Sequence, residues 1–415
     1  MEPIISSLLD TDFYKFTMGQ VVFLKCPGIR VKYRLTCRTK DVKLAKVIDL
    51  GRLREELDHV RGLRFGNSEL HYLRGTNEYQ ERMFREPYLE FLRNFRLPEY
   101  HLEERDGDLI LEFAGPWAEA IYWEVPALAI VNELYYEAKM SPLTNFERDL
   151  VYAEGQRRLA EKLAMFRTRP KMSFVDFGTR RRFSRTWQRY VVKVFMEELG
   201  GQFRGTSNVE ISKDFNTEPR GTDAHERAMV LGGLAHAGGF EAFVASQKRV
   251  LVDWEETYGL GLSIALPDTF GSQFFYDHVM SLEQAQTWKG VRQDSGYPKL
   301  FFTRTQAFYE RCGITPAVMK TKLFIPSDGL TVPRMLEVHD FVGGRMFDTY
   351  GYGTDAMNDL GFSPISIVIK PVEADGIGLV KLSDNPAKAI GERADIEAVK
   401  RLIGYNPNEY EVCVY

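Results

Sequence analysis

From Met172 onward the chain repeats one pattern: a short apolar or β-branched run, a polar turn rich in Gly, Thr and Ser, then a helix-like segment. Residues 172–177 read as a strand, and residues 183–199 as an amphipathic helix stopped by Gly200 and Gly201. Further turns fall at 205–208, 221–225, 262–269, 290–295, 319–329 and 346–354. Strands that alternate with helices run parallel, because each crossover returns the chain to the same edge of the sheet. About seven such units over roughly 220 residues favour an irregular (β/α) barrel over an open sheet, with functional residues on the loops after the strands. The fold class expected is therefore α/β.

At 415 residues the chain exceeds the size at which one hydrophobic core stops growing, so it divides. Three parts are expected: an N-terminal α+β domain over 1–140, the barrel over 141–360, and a tail over 361–415. In the first, residues 31–38 alternate like a strand and 45–63 have helical periodicity. Residues 109–113 and 120–125 read as two strands around Gly115-Pro116, with a helix after Pro126. In the tail, 365–370 and 379–382 form a hairpin around Asp375-Gly376, packed beside the barrel or back on the first domain. Near the start, Asp10 or Asp12 is placed to cap a helix that presents Phe13, Phe16 and Val21 to a core. Tyr14 beside Lys15 suits an aromatic anion, although spacing alone favours a packed Tyr and a surface Lys.

The net charge of −4 argues against a nucleic-acid or membrane-surface binder, so the local arginine cluster should serve a site. The four cysteines form no CxxC pair, the N-terminus has no signal-peptide pattern, and the apolar stretch 123–136 is broken by Glu124, Pro126 and Glu133. A cytoplasmic protein with no membrane span is the expectation.

Three polar turns lie within residues 174–226. Gly lets backbone N–H groups approach an anion, Thr adds a hydroxyl donor, and Arg180, Arg181 and Arg182 add forked cations suited to phosphate or carboxylate. His225 can act as a nucleophile near neutral pH. Read one at a time, these are equally well Gly-Thr turns, a solvated arginine run and a capping histidine. Asp268 and Asp294 end strands, where a carboxylate accepts hydrogen bonds from a ribose diol; helix capping by Asp294 is an equal alternative. Ser327-Asp328-Gly329 and Gly351-Tyr352-Gly353-Thr354 place small donors where a phosphate would sit. The other six histidines read as surface or core residues, and no metal-cage motif is present. Mg²⁺ held by substrate phosphates, with Asp268 or Asp294 assisting, is the one metal expected.

Taken together, these residues resemble the nicotinate phosphoribosyltransferase family. The resemblance is carried by Leu8-Leu9-Asp10-Thr11-Asp-x-Tyr14-Lys15, Asp176-Phe177-Gly178-Thr179-Arg180-Arg-Arg-Phe-Ser, Gly205-Thr206-Ser207-Asn208, Gly221-Thr222-x-Ala224-His225-Glu226 and Arg292-x-Asp294-Ser295-Gly296, and extends to Lys381-Leu382-Ser383-Asp384. It implies condensation of nicotinate with phosphoribosyl pyrophosphate for NAD synthesis, coupled to ATP hydrolysis through phosphorylation of His225, in a homodimer with shared sites. By position it implies that Tyr14 lies against the pyridine, at the neighbouring subunit's site, and that Thr179, Arg180, Gly221, Thr222 and Arg292 hold nicotinate and phosphates. Asp268 and Asp294 would serve the ribose and pyrophosphate, and Ser327, Gly329, Gly353 and Thr354 the 5-phosphate. Relatives that use nicotinamide carry Asp where this chain has Ser207, so Ser207 favours the acid. Two positions depart from the family's pattern: Tyr297 stands where an acid is frequent, and Tyr350 where Phe is frequent. A nicotinamide-using enzyme and an inactive nucleotide-binding relative are the competing readings.

Overall fold

The computed structural model describes residues 2–78, 81–410 and 413. Apart from a two-residue pair, Asn77–Glu78 with Glu81–Arg82, its strands are β1 (Arg30–Cys37), β2 (Tyr100–Arg105), β3 (Asp108–Pro116), β4 (Ser173–Asp176), β5 (Phe203–Thr206), β6 (Ile264–Ala265), β7 (Gly290–Gln293), β8 (Leu323–Pro326), β9 (Phe347–Tyr352), β10 (Ile367–Ala374) and β11 (Ile377–Gly378). β4 to β9 form a six-stranded sheet in the order β5-β4-β9-β8-β7-β6, and every pair in it is parallel. That order is cyclic, with the first strand β4 beside the last, β9. It is the order of a barrel opened at one seam, between β5 and β6, rather than of a sheet wound in two directions. The repeat 221–225 therefore follows no strand; it lies in the helical excursion between β5 and β6, which includes His225–Ala235 and Gly239–Tyr258. That helical run has the length and hydropathy of a membrane span, but it breaks at Gly238-Gly239 and buries Met229, Val230, Phe243 and Trp254 in the core.

The second sheet, β11-β10-β1-β3-β2, is antiparallel and joins the two ends of the chain. β1 turns Val31, Tyr33 and Leu35 inward, the period of two that its sequence shows. The tail hairpin packs on the N-terminal sheet, with Leu35 opposite Ile369, but its second strand is Ile377–Gly378 rather than 379–382, set by the tight turn at Asp375-Gly376. The strand expected at 120–125 is helical instead, part of an unbroken run through Trp117–Ala120, Ile121–Trp123 and Glu124–Met140. β3 pairs with β2 upstream, through Asp106 and Gly107, both at positive φ (53° and 82°), as an Asp-Gly hairpin turn requires. The error has a physical cause: residues 120–125 are buried on every face, so their apolar run has no readable period. The helix expected from 183 begins at Arg185, capped by Ser184, whose Oγ accepts from the Trp187 N–H.

The N-terminal segment docks on the end of β5. Phe13 N donates to Ser207 O (2.7 Å), Val209 N to Thr11 O (3.0 Å) and Glu210 N to Leu9 O (2.8 Å). Asp10 and Asp12 cap nothing: helix Tyr14–Lys25 starts without a side-chain cap, and both aspartates are consumed by buried arginine contacts.

Candidate active site

The loops after the barrel strands are tied to one another. Ser207 N donates to Asp176 O (2.8 Å), Phe177 N to Tyr352 O (2.9 Å) and Ser327 N to Gln293 O (2.9 Å). Two glycines allow close approach here. A Cβ on Gly221 would lie 2.9 Å from Tyr14 N, and one on Gly351 2.4 Å from the Phe177 ring.

His225 opens helix His225–Ala235 and is buried. Its Nδ1 lies 2.9 Å from Thr269 Oγ1 and its Nε2 2.9 Å from Asp294 Oδ2, with Asp268 Oδ2 at 3.9 Å. Burial, aided by the charge of Lys381, lowers its pKa from 6.5 to about 4. The imidazole is thus neutral at neutral pH and keeps a lone pair on one nitrogen. Asp294 is held ionised well below the usual carboxylate range: burial opposes this, but the His225 hydrogen bond and the nearby cations outweigh it. Its other oxygen accepts from Ser327 Oγ at 3.2 Å. Asp268 accepts from Ser295 Oγ at 2.5 Å through Oδ2, while its buried Oδ1 has no hydrogen-bond partner among the described residues. Burial raises the Asp268 pKa.

One prediction follows from His225. As pH falls from 6.5 toward 4, the unfolded chain takes up a proton at this ring that the folded chain refuses. The stability this ring contributes is present above pH 6.5 and is lost as pH falls through that window, by about 3 kcal/mol. Urea denaturation of His225→Gln should show a flatter fall between pH 6.5 and 4 than the natural chain, and equal slopes would contradict a neutral buried ring.

The three arginines of the 180–182 run do three different things. Arg182 is fully buried and spent on protein carboxylates, Asp10 at 2.7 and 2.8 Å and Glu133 at 2.7 Å. Arg180 reaches Asp12 Oδ2 (3.1 Å) and Glu124 (3.7 Å) and lies 5.4 Å from the centre of the Tyr14 ring. Arg181 is pushed down to about 10 by burial and by its neighbours Arg180 and Arg38. Lys381 is pushed down to about 8 by burial, with Asp268 and Asp294 opposing and Lys370 and Lys388 adding to the fall. Like charges gathered in this way suit a polyanion.

Thr179 is interior, its Oγ1 accepting from Gln188 (3.1 Å) and Asn208 (3.4 Å). Ser207 donates to Asp12 Oδ1 at 2.7 Å, so an acid at 207 would face the Asp12 carboxylate directly. Thr222 meets Arg292 Nη1 at 3.5 Å and offers its carbonyl to Thr17. Gly329 is exposed at φ +56°, and Gly353 and Thr354 are half-buried at the start of the short helix Thr354–Met357. Asp328 of the same turn pairs with Lys388. Tyr297 is 38% exposed and its hydroxyl makes no hydrogen bond among the described residues. Lys15, read as a surface residue, is buried between Glu124 (2.5 Å) and Glu226 (2.8 Å). His339 is not isolated either, pairing with Asp348 at 2.7 Å. Arg38, Thr269 and Lys381 carried no role in the sequence reading; Thr269, adjacent to Asp268, and Lys381, within the motif Lys381-Leu382-Ser383-Asp384, offered local signals, and Arg38 offered none.

Among the described residues no set of three or more His, Cys, Asp or Glu is arranged to hold a metal ion. A cavity behind Thr269 has apolar walls, including Val250, Trp254, Leu266 and Phe270, and does not suit phosphates.

A barrel whose strand-end loops join a cationic seat to a buried neutral histidine defines an enzyme acting on phosphorylated substrates. The chain belongs to the nicotinate phosphoribosyltransferase (NAPRTase) family, whose profile matches residues 172–405, and the profile of the NAPRTase N-terminal domain matches residues 9–132. Its fold is similar to the crystal structure of nicotinate phosphoribosyltransferase from Vibrio cholerae, with 30% identity, 97% of this chain and 94% of that one covered, and a TM-score of 0.86. The Porphyromonas gingivalis nicotinate phosphoribosyltransferase is similar at 27% identity, 97% and 100% coverage and a TM-score of 0.83.

Proposed function

We propose that the chain joins the ring nitrogen of nicotinate to C1 of phosphoribosyl pyrophosphate, releasing pyrophosphate and forming nicotinate mononucleotide for NAD synthesis, with ATP hydrolysed through a phosphorylated His225. The observation that carries this reading is the buried neutral His225 at a helix N-terminus, between Thr269 and Asp294 and beside Lys381. A helix N-terminus and nearby cations favour a phosphoryl group there. In the condensation the C1–O bond breaks as the C1–N bond forms, so the protein's work is to orient the ring and stabilise the departing pyrophosphate. Arg180 beside Tyr14 suits the nicotinate carboxylate. Arg181, Arg292, Lys381 and Arg38 supply the cationic field for the phosphates. Mg²⁺ would enter with those phosphates, and Asp268 Oδ1, buried and unpartnered, is the protein oxygen suited to meet it.

Homodimer formation with shared sites belongs to the same reading. Because Tyr14 and Arg180 are stacked in one chain, they serve the same site together. Mixing Tyr14→Ala with Arg180→Ala should therefore not restore activity, and restoration in heterodimers would place the two residues at different sites.

Pyrophosphate release from phosphoribosyl pyrophosphate with nicotinate, against nicotinamide and quinolinate, with and without ATP, tests the whole proposal. Release with nicotinamide alone would replace it by the amide-using reading, and release with none of the three would sink it. Tyr14→Ala should weaken nicotinate binding by about 1–3 kcal/mol, the order of aromatic stacking on a base. Tyr14→Phe should cost less, since Glu124 loses only a 3.2 Å hydrogen bond and keeps Lys15 and Lys370. An unchanged nicotinate KM in the alanine variant would remove Tyr14 from the site.

A further inference from the structure

Lys15 and Glu226 lie outside the chemistry described, yet they stand between its two halves. Lys15 Nζ bridges Glu124 Oε2 (2.5 Å) and Glu226 Oε2 (2.8 Å), and all three side chains are almost fully buried. Glu124 also receives Lys370 at 2.8 Å and, more loosely, Arg180 at 3.7 Å. Glu226 Oε1 accepts from Trp117 Nε1 at 2.6 Å and from the Tyr33 hydroxyl. Glu226 is the residue after His225, in the first turn of the same helix. We infer that the ion chain Arg180–Glu124–Lys15–Glu226 couples occupation of the nicotinate carboxylate site to the setting of His225, with Glu226 as the positioning residue. This rests on the reading that nicotinate sits at Arg180.

The geometry supplies the coupling. Arg180 is the outermost member, about a third exposed, and its contact with Glu124 is the longest in the chain. A ligand carboxylate draws Arg180 toward itself, and Glu124 then leans more on Lys370 and Lys15. Lys15 gives up part of its hold on Glu226, and in a buried setting a small change in charge separation is strongly felt. Trp117 and Tyr33 keep Glu226 hydrogen-bonded while it moves, and His225 moves with the helix turn they share.

The test uses the full chain labelled with ¹⁵N-histidine, the His225 ring signal being assigned by its loss in His225→Gln. Saturation with nicotinate, alone or with phosphoribosyl pyrophosphate, is expected to shift the His225 signal in the natural chain. In Glu226→Gln, which keeps the shape and an amide oxygen for Trp117 and Tyr33 but removes the charge and turns an N–H₂ toward Lys15, calorimetry should still detect nicotinate while the shift is lost. Glu124→Gln breaks the chain one link earlier and serves as the second variant if the first does not fold. An equal shift in the natural chain and a folded variant, or no shift in the natural chain despite bound nicotinate, overturns the coupling and leaves the proposed function standing. Failure of the natural chain to bind nicotinate at all overturns the proposed function, and the coupling with it.

Discussion

Replacing His225 with alanine is expected to abolish ATP-dependent phosphorylation of the chain and to leave a slow, ATP-independent synthesis of nicotinate mononucleotide. Coupled ATP hydrolysis should fall by on the order of 10³-fold or more, because the group that forms the covalent bond is gone. Affinity for the other substrates should fall less, by about 5–150-fold, the range of coupling between sites. The asymmetry follows from the structure. The groups offered to nicotinate and the phosphates, Arg180, Arg181, Arg292 and Lys381, stay in place when one imidazole is removed, whereas Thr269 and Asp294 lose the ring they hold. A phosphoryl group on a ring nitrogen adds about −1.5 to −2 charge, as other phosphorylated side chains do, next to Lys381, an ammonium that burial holds down at about 8 and that an added anion would favour. Acid-labile label from γ-labelled ATP decides the matter: equal labelling of His225→Ala and the natural chain removes His225 from the role.

The second large effect concerns stability and separates two neighbouring arginines. Arg182→Met should destabilise the fold by about 3–5 kcal/mol, because it leaves Asp10 and Glu133 buried without their cation. Burial already raises Glu133 to about 7 even with Arg182 present, so this carboxylate has little in reserve. Adding Asp10→Asn should recover part of the loss. Arg181→Met should behave oppositely, since burial beside Arg180 and Arg38 already disfavours its charge: stability unchanged or raised, activity lowered. Urea denaturation of the two variants side by side tests this, and a loss under about 1 kcal/mol for Arg182→Met would contradict the assignment, being within the ordinary range for a single substitution.

The reversal between Arg181 and Arg182 shows where sequence reading reaches its limit. The run Arg180-Arg-Arg after a Gly-Thr turn announces cations at a strand end, and they are there. Which of them meets a ligand depends on Asp10, 172 positions away, and on Glu133 from another helix. Ser207 is similar: the absence of a carboxylate is legible in the chain, but its hydroxyl donating to Asp12 is not. Lys15 looked like a surface residue because its helix begins with mixed polarity, and only the convergence of Glu124 and Glu226 buries it.

The sequence by itself determined the parallel architecture and the family, because a repeated strand–turn–helix period and short motifs are local properties that survive without coordinates. The tertiary structure alone decided the seam between β5 and β6, the helical state of residues 120–125, the docking of the tail hairpin on β1, and the division of one arginine run into one member buried between Asp10 and Glu133 and two that stay partly exposed. Each of these depends on which distant groups share a low-dielectric interior, and burial and charge pairing across more than a hundred residues leave no periodic trace in the chain.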